Sequence, residues 1–429
     1  MNIWIINHNA AVPSQAWSIR HVSLGAELVR RGHSVSLFAS NFSSGMKAYL
    51  TPAHGGRIQW EQALGVKMGW LPTPAYSSNS WGRLWNNLVF GFRVLDLPRN
   101  CCARPDVVYG STPDPFAALA GWRVARRLGV PFVWEIRDIW PQSLIDMGMS
   151  RFHPFVPVCA AMERHLCCNS DAIVTLMPDA ASHLVAHGAT RCRIHWIPNG
   201  VNFNLVPPVV PPKPKEALEL IYAGAYGGGN NPELILDAAV KLRERGGPLL
   251  RFRFIGNGAG EHALLAKRAA LNLDNVSFEP PVPRAQVYSL LNEADILLAP
   301  YAKLDVHRFG VSLNKLFDYM AVARPIIFAT CASNHPVTDA RCGIEVPADD
   351  ADALANSIST LAGLAREERW QLGLNGRRYA EQNHNFARLA VKLETILAGA
   401  ACQPPGAHRV TNNQGLEAAR PILENDQAV

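Results

Sequence analysis

Short apolar runs of strand length alternate with helical stretches along the first half of the chain. The chain opens with the run Ile3–Ile6, a helical stretch over Ile19–Arg31, and a second run over Ser34–Ala39. Gly32 separates the helix from the second run, as expected of a residue that ends helices. Further strands are predicted at Asp106–Tyr109, Phe132–Glu135 and Ala172–Leu176. Strands that alternate with helices indicate a parallel sheet covered by helices on both faces.

A proline-rich stretch, Val206–Lys215, interrupts this alternation in the way that a stiff linker does. A second series follows it, with strands predicted at Leu218–Tyr222, Phe252–Ile255, Val276–Phe278, Ile296–Ala299 and Ile326–Ala329. The pattern predicts an α/β protein of two tandem Rossmann-like, doubly wound domains, over residues 1–203 and 217–380, joined by a linker over 204–216. Ligands of such sheets bind at the carboxyl ends of the strands, so two facing domains define a cleft.

The last part of the chain changes character twice. Phe386, Leu389, Leu393 and Ile396 recur at helical spacing, which predicts a helix over residues 381–399 that packs back on the body. The tail over residues 400–429 mixes Pro, Gly, Asn and Gln without periodicity, and it is predicted to be disordered.

Composition narrows the class of protein. The chain has 429 residues, 48% hydrophobic and 18% charged, which fits a folded protein too long for one ordinary core. The net charge of +6 suits an acidic small substrate or an anionic membrane surface, and no Lys/Arg stripe interleaved with aromatics argues for nucleic acid. The nine cysteines show no C-x-x-C spacing, which indicates reduced thiols. Without a signal peptide or a membrane-spanning apolar run, a cytoplasmic protein is expected.

The run Phe309–Phe328 is the most informative one for chemistry. A loop of small residues that contains Ser312 precedes a helix that starts at Asn314. The free N–H groups and the positive dipole end of such a helix, with Lys315 beside them, form a seat for an anion such as a diphosphate. One turn later, Asp318 can accept hydrogen bonds from the hydroxyls of a sugar. The alternative is an ordinary core helix with solvated polar residues.

Two glycine-rich turns follow strands of the second series. The first contains Gly224, Ala225, Gly227, Gly228 and Asn230, and the second contains Gly256 and Gly258. Glycines let the backbone approach a ligand closely and turn at positive φ, so a phosphate loop is predicted, with a surface turn as the alternative. Both turns and the helix start are expected at the same edge of one sheet, which favours a shared phosphate site.

Four segments carry a resemblance to a known family. They are Glu135–Pro141, Ile197–Val201, Gly224–Tyr226 and Ser312–Ala321, the last followed by Arg324 and Pro325. In this order they resemble a retaining glycosyltransferase of the GT-B fold, family 4, over about residues 1–398. The combination is most similar to the bacterial subgroup of L-fucosamine (N-acetyl-L-fucosamine) transferases of O-antigen and exopolysaccharide synthesis.

The resemblance implies a nucleotide-sugar donor, a UDP sugar in this subgroup, and a lipid-carrier-linked or saccharide acceptor. It implies retaining transfer of a hexosamine or deoxyhexosamine at the cytoplasmic face of the inner membrane. Because the helix start at Asn314, Lys315 and the glycine N–H groups can hold the leaving diphosphate, no metal or other cofactor is expected. The donor ribose is assigned to Asp318, and Pro280 lies where relatives contact the base. Two alternatives are a nucleotide-sugar epimerase of the same fold and a non-catalytic nucleotide-sugar-binding protein.

The sequence departs from the family pattern around the donor phosphates. Ala225 and Asn230 stand where family members usually carry an arginine and a lysine, and Gly310 stands where the first of two glutamates is usual. The cationic contribution to phosphate binding therefore has to come from elsewhere. Lys315 is the leading candidate and Arg308 is the second.

The N-terminal domain offers further candidates for contact with the sugar or the acceptor. Arg137 stands where many relatives have a histidine near the reacting sugar, so the resemblance assigns Arg137 and Asp138 to the sugar or the leaving phosphate. Weaker candidates for acceptor or sugar binding are His8, Asn9, Arg20 and Glu135. For His8, an ordinary solvated loop residue is the alternative.

Asp350-Ala-Asp352 has the D-x-D spacing of metal-dependent transferases, but it precedes a helical stretch. Aspartate is a preferred capping residue at helix starts, where it also complements the helix dipole. We therefore interpret the motif as a cap and predict no metal site.

Six apolar residues share one face of a predicted helix, with Arg83, Arg93 and Arg99 nearby. They are Trp81, Leu84, Trp85, Leu88, Phe92 and Leu95. An apolar face usually packs against a core, which is the ordinary expectation. The alternative is contact with a membrane that carries a lipid-linked acceptor.

Overall fold

The computed structural model describes residues 1–12, 19–43, 46–51, 58–77, 81–97 and 101–403. Within these ranges the chain forms two large sheets, each with a hydrophobic core on both faces. Pro13 of the first loop, Arg99, and residues 404–429 of the predicted disordered tail lie outside the described residues.

The first sheet has eight strands. They are β1 Asn2–Ile6, β2 Ser34–Ser40, β5 Gln59–Ala63, β6 Val66–Leu71, β7 Val107–Ser111, β8 Phe132–Ile136, β9 Ala172–Thr175 and β10 Ile194–Trp196, while β3 Phe42–Ser43 and β4 Ala48–Tyr49 form a separate small pair. Their spatial order is β10-β9-β8-β7-β1-β2-β6-β5. All neighbouring pairs are parallel except β5 and β6, which form an antiparallel hairpin at one edge.

The second sheet has six strands, all parallel. They are β11 Leu218–Ala223, β12 Leu250–Ile255, β13 Val276–Glu279, β14 Ile296–Pro300, β15 Ile326–Thr330 and β16 Gly343–Pro347. Their spatial order is β13-β12-β11-β14-β15-β16. The chain order therefore reverses between β11 and β14, where doubly wound sheets bind ligands.

Helices connect the strands in both halves. In the first half they are α1 Arg20–Arg30, α2 Trp81–Leu95, α3 Pro115–Leu128, α4 Gln142–Asp146, α5 Phe155–Asn169 and α6 Ala181–Ala186. In the second half they are α7 Glu233–Arg245, α8 Glu261–Ala270, α9 Arg284–Leu291, α10 Asn314–Ala321, α11 Pro336–Asp339, α12 Ala351–Gly363, α13 Arg366–Asn383 and α14 Phe386–Ala401. The predicted class, two doubly wound α/β sheets, is confirmed. None of the helices in the described ranges combines the length and apolar character needed to cross a membrane.

Besides the small pair β3 and β4, four strands were not predicted, and three of them (β5, β10 and β16) lie at sheet edges. Edge strands are partly exposed, so they lack the continuous apolar run that marks a strand buried on both faces. In the fourth, β6, Lys67 and Gly69 interrupt the apolar run. The hairpin β5–β6 is joined by Leu64 and Gly65, both at positive φ, and Leu64 gives no sequence signal for such a turn.

The last helix, α14, packs on the first sheet although it follows the second sheet in the chain. Phe386, Leu389, Leu393 and Leu397 are buried in one core with strand residues such as Ile3 and Val35 of that sheet. The sequence predicted that this helix packs back on the body, and the structure shows that it completes the hydrophobic core of the first half.

Hydrogen bonds join the two halves directly. The Val306 N–H donates to the Asp146 carboxylate at 2.7 Å, and the Asp179 N–H donates to the Phe309 carbonyl at 3.1 Å. The Ser333 hydroxyl donates to the Asp179 carboxylate at 2.6 Å. The carboxyl ends of the two sheets therefore face each other across a narrow cleft.

Candidate functional site

Lys315 lies at the centre of the second sheet's carboxyl edge. Its Nζ donates to the Asn230 side-chain oxygen at 2.5 Å and to the Tyr222 hydroxyl at 3.3 Å, and it lies 4.5 Å from the centre of the Tyr222 ring. A Cβ on Gly224 would lie only 2.6 Å from Nζ, so a glycine is needed there to leave room for the lysine. The structure thus brings Gly224, Asn230 and Lys315 together, as the sequence predicted.

The charge of Lys315 has no carboxylate to balance it. None of the ion pairs between described residues includes this lysine, and its hydrogen-bond partners are neutral. Burial lowers the pKa of Lys315 to about 7. An incoming anion would therefore gain a partner whose charge is not already compensated.

The helix α10 that carries Lys315 begins at Asn314, as predicted. Its N-cap residue, Leu313, makes no side-chain capping bond, and its first turn contains no acidic residue. The Leu316 N–H donates to the Leu313 carbonyl at 3.2 Å, so the N–H groups of Asn314 and Lys315 and the positive dipole end are the groups left for an anion.

The first glycine turn is open to solvent beside this helix start. Gly227 and Gly228 adopt φ of 121° and 66°, and nothing lies within 4 Å of a Cβ built on Gly228. Ala225, which stands in place of the usual arginine, is exposed. This part of the loop has the shape and accessibility that binding of a phosphate through backbone N–H groups requires.

The second glycine turn has another reason to contain glycine. A Cβ on Gly256 would lie 2.0 Å from the Gly224 carbonyl oxygen, and one on Gly258 would lie 2.3 Å from the Tyr226 carbonyl oxygen. The Tyr226 N–H donates to the Asn257 carbonyl at 2.8 Å, which fixes the two turns together. Gly256 and Gly258 therefore support the first turn, and their direct contact with the donor stays a prediction.

Asp318 has protein partners that the sequence did not indicate. Two nitrogens of Arg284 donate to its two oxygens at 2.6 Å each, and the Tyr288 hydroxyl donates at 2.8 Å. All three groups are nearly buried. Three of about four acceptor positions of the carboxylate are thus occupied, which leaves room for one hydrogen bond from a ribose hydroxyl. Arg284 is not part of a recognisable sequence motif, so its pairing with Asp318 could be found only from the fold.

Ser312 contacts the other half of the chain. Its hydroxyl accepts from the Asn199 N–H at 2.7 Å, and its carbonyl accepts from the Asn199 side-chain nitrogen at 2.5 Å. Both donors belong to the Ile197–Val201 segment, so Ser312 holds the connection between the halves, and its predicted role in donor binding stays a prediction. Pro280 is exposed directly after β13, as its predicted role requires.

Glu135 is the centre of a sealed cluster in the first half. Arg20 Nε and Tyr109 hydroxyl donate to one carboxylate oxygen at 2.8 Å and 2.5 Å, and the Ser111 hydroxyl donates to the other at 2.6 Å. Burial alone would raise the pKa of Glu135, but the charges of Arg20 and His21 hold it well below its usual range. Glu135 is 0% and Arg20 1% exposed. Contact with an acceptor, predicted for both, is therefore corrected to a structural role.

Arg137 and Asp138 extend from the end of β8 toward the second half. The Arg137 N–H donates to the Thr112 hydroxyl at 2.8 Å, while its side-chain Nε is buried without a hydrogen-bond partner among the described residues. Burial lowers the pKa of Arg137. Asp138 is exposed in the cleft, and its charge joins burial in raising the pKa of Tyr301, a residue that follows β14 of the second sheet. Asp138 thus lies close to the second half, and Arg137 precedes it directly in the chain.

His8 does not face solvent, contrary to both readings of the sequence. It is 4% exposed, and its Nε2 lies 2.6 Å from the Asn86 side-chain oxygen on α2. Its Nδ1 lies 3.1 Å from the Asn9 side-chain oxygen, and burial lowers its pKa to about 4. His8 is thus a neutral packing residue that fixes α2, whereas Asn9 is exposed.

The D-x-D motif acts as a cap. The Asp350 carboxylate accepts from the Ala353 N–H at 2.8 Å at the start of α12. Asp352 pairs with Lys241 at 2.9 Å and with Arg245 at 3.1 Å. The capping interpretation of Asp350 is confirmed.

The apolar face of α2 is turned to solvent, so the ordinary expectation for it was wrong. Trp81 is 80% exposed and Phe92 62%, and Trp85 and Leu95 are exposed as well. The buried face of the helix consists of Asn86, Asn87, Phe90, Gly91 and Val94. The side chain of Asn86 bonds to His8 and Thr73, and this pairing offsets the cost of burying it.

Comparison with known proteins assigns both halves. Residues 19–200 match the family described as glycosyl transferase 4-like domain, and residues 217–363 match the family described as glycosyl transferases group 1. A curated relative, D-inositol 3-phosphate glycosyltransferase of Thermobifida fusca, is 25% identical over 59% of this chain and 60% of its own length.

Two solved structures share the fold. Sucrose-phosphate synthase of Thermosynechococcus elongatus has a TM-score of 0.74 at 16% identity, covering 98% of this chain and all of its own. Anabaena HepE in complex with UDP and glucose has a TM-score of 0.66 at 14% identity, covering 93% of this chain and all of its own.

Proposed function

Because the chain belongs to the family-4-like glycosyltransferases of the GT-B fold, we propose that it transfers a hexosamine or deoxyhexosamine from a UDP donor to a lipid-carrier-linked acceptor, with retention of configuration. The transfer would serve synthesis of a surface polysaccharide such as O-antigen. The resemblance of its motifs to L-fucosamine transferases supports the sugar class and the acceptor.

The observation that carries the proposal is the uncompensated Lys315 at an uncapped helix start. A departing nucleoside diphosphate is a strong anion, and transfer is fast only where the site stabilises it as charge develops. Lys315, the N–H groups at Asn314 and the open turn at Gly227–Gly228 supply such a seat. The seat uses groups of the chain itself, so we propose transfer without a metal.

Arg137 completes the site from the opposite half. Its buried Nε has no hydrogen-bond partner among the described residues, and Asp138 beside it lies near Tyr301 of the second half. We place the sugar and the leaving phosphate between these residues and Lys315. A donor held by one half and an acceptor held by the other become positioned for reaction when both are bound. UDP as the nucleotide is supported by the UDP bound in the Anabaena HepE structure.

The outer face of α2, formed by Trp81, Trp85, Phe92 and Leu95, supports a membrane-borne acceptor. An apolar groove of about 130 Å³ continues it between α2 and α3 and is lined by Leu88, Gly91, Phe92, Leu95, Phe116, Leu119, Ala120 and Arg123. Exposed aromatics with arginines beside them are typical of surfaces that lie in the interface of an anionic bilayer. The opposite face of α2 bonds to His8 at the carboxyl edge of the first sheet, so this surface adjoins the cleft.

A ligand screen tests the donor. Thermal unfolding would be followed with UDP, GDP, ADP and their sugars, because a ligand that binds only the folded state raises its stability. UDP compounds are expected to raise Tm most. A larger shift with GDP or ADP would contradict the proposed nucleotide.

Product analysis tests the reaction. With a UDP-deoxyhexosamine and a polyprenyl-diphosphate sugar, we expect a disaccharide lipid with the donor's anomeric configuration. An epimerised donor sugar without acceptor would indicate an epimerase. Nucleotide binding without turnover across a donor and acceptor panel would indicate a binding protein, an alternative that the departures at Ala225, Asn230 and Gly310 favour.

Sedimentation with vesicles tests the membrane surface. Trp81→Ala/Trp85→Ala should lose binding to phosphatidylglycerol vesicles, and Leu265→Ala, which removes an exposed leucine of α8, should keep it. Equal binding of both variants would exclude the α2 surface.

A further inference from the structure

A cluster of metal-binding side chains lies in the first half, outside the proposed transfer site. Glu163 of α5 and His183 and His187 at the end of α6 place one donor atom each within 4.8 Å of one another. Glu163 Oε1 lies 2.5 Å from His183 Nε2. The two histidines are one helical turn apart, and their ring centres are 4.2 Å apart. Two imidazoles and a carboxylate on adjoining helices form a donor set suited to Zn²⁺.

The orientation of His187 suits a metal ligand. Its Nδ1 lies 2.8 Å from the His183 carbonyl oxygen, so this nitrogen donates a proton and Nε2 keeps its lone pair. A hydrogen bond from the other ring nitrogen to a backbone carbonyl is the usual way in which proteins orient a metal-binding histidine.

Glu163 has an unsatisfied atom in the same place. The residue is 5% exposed, and its Oε2 is buried without a hydrogen-bond partner in the part of the chain that the structure describes. No Lys or Arg forms an ion pair with it within the described ranges. A buried carboxylate oxygen without a partner is costly, and a cation bound beside it would remove that cost.

We propose that Glu163, His183 and His187 bind one Zn²⁺, with water as the fourth ligand. Tetrahedral ligands at about 2.1 Å from zinc lie roughly 3.3 Å apart, so Glu163 and His183 need to separate by less than 1 Å as the metal replaces the proton they share. Cys159, one turn before Glu163, does not belong to the group of side chains whose donor atoms lie within 4.8 Å of one another.

The position of the site gives the metal a structural task. The His183 ring lies 5.1 Å from the Phe309 ring of the second half, and the Phe309 carbonyl accepts the hydrogen bond from Asp179. A metal that joins α5 to α6 would fix the first-half side of this contact between the halves. It would do so without touching the Lys315 seat, so the inference does not depend on the proposed function.

Metal competition tests the site. Metal-free protein would be titrated with Zn²⁺ against a chromophoric chelator, with wild type expected to hold one tight equivalent. Glu163→Gln and His187→Ala should each weaken it at least tenfold. His262→Ala, an exposed histidine of α8, is the matched control and should bind as wild type does. Equal affinity in all four proteins, or no tight equivalent in wild type, would overturn the proposal.

Thermal unfolding separates a metal site from a simple hydrogen-bonded pair. His187→Ala keeps the bond between Glu163 and His183, so it should fold and melt like metal-free wild type. Zn²⁺ should raise the Tm of wild type and leave that of His187→Ala unchanged. The same response to Zn²⁺ in both proteins would overturn the proposal, whatever the activity of either.

Discussion

Arg20 and Lys315 are both cations enclosed near the carboxyl edges of the two sheets, but their partners differ. Arg20 donates to the Glu135 carboxylate and to the Ile197 and Pro198 carbonyls, at 2.8, 3.0 and 2.5 Å. Within the described part of the chain, Lys315 bonds only to the neutral side chains of Asn230 and Tyr222. The charge of Arg20 is compensated within the protein, whereas that of Lys315 is not.

This difference separates a structural charge from a binding one. Breaking a buried, paired cation leaves its partner uncompensated and costs stability. An unpaired, desolvated cation costs stability while the site is empty, and an anionic ligand returns that cost as affinity. The two residue types and their positions after strands look alike in the sequence, so the partners decide the role.

The largest expected effect comes from removing the anion of the paired cluster. Glu135→Ala leaves Arg20 buried without a counter-charge, and we expect a loss of about 3–5 kcal/mol in the free energy of unfolding, measured with denaturant. Glu279→Ala is the control, because its pair with Arg253 is partly exposed and worth about 1 kcal/mol or less. Similar losses in both variants would show that the buried Glu135 cluster contributes no more to the free energy of unfolding than a partly exposed ion pair does.

Lys315→Ala should act on turnover and spare the fold. Loss of one group that stabilises the leaving diphosphate costs about 3 kcal/mol in the barrier, a hundredfold or more in rate. The stability of the empty protein should stay the same or rise, because an uncompensated cation is removed. Steady-state transfer rates check the expected loss of turnover, and Tm checks the expected stability. Lys241→Ala, which removes a lysine of an exposed ion pair, is the control. Unchanged transfer kinetics would remove Lys315 from the phosphate role.

Asp318→Asn should affect both stability and ligand binding, because Asp318 is paired with Arg284 and is also the predicted ribose ligand. Loss of its charge beside the nearly buried Arg284 should cost about 1–3 kcal/mol of stability. If it also holds the ribose, calorimetry should show weaker binding of UDP but unchanged binding of inorganic pyrophosphate. Equal weakening of both ligands would assign Asp318 to the fold alone.

The smallest effect is a pH dependence of donor binding. Below its pKa of about 7, Lys315 is already protonated, so UDP affinity should not vary through this group. Above it, binding of the diphosphate has to take up a proton, so affinity should fall by up to about tenfold, or 1.4 kcal/mol, per pH unit. Lys315→Arg should abolish this slope in calorimetry between pH 6 and 9. A slope that persists in the arginine variant would assign it to another group.

Much of the fold and part of the site could be predicted from the sequence. Buried parallel strands such as β14 and β15 consist mainly of consecutive apolar residues, and the start of α10 at Asn314 follows from local pattern. Partners distant in sequence could not be predicted. Glu135 and Arg20 are 115 residues apart, and Arg284 and Asp318 are 34 apart, so nothing local shows that these charges neutralise each other.

The direction in which the apolar face of α2 points could not be predicted from the sequence either. Its helical periodicity is correct, but periodicity does not tell whether the apolar side meets a core or solvent. An asparagine such as Asn86 suggests an exposed position, but Asn86 is buried. Its bonding partners, His8 and Thr73, lie outside the helix, so the sequence of the helix does not show them.

The return of α14 to the first sheet has a consequence for synthesis of the chain. Phe386, Leu389, Leu393 and Leu397 fill a core that otherwise consists of residues made before residue 200. Domains generally fold in order as they leave the ribosome. In this chain, an apolar face of the first half stays uncovered until the ribosome has also made the second half and α14. The half that is synthesised first is therefore the last to complete its hydrophobic core.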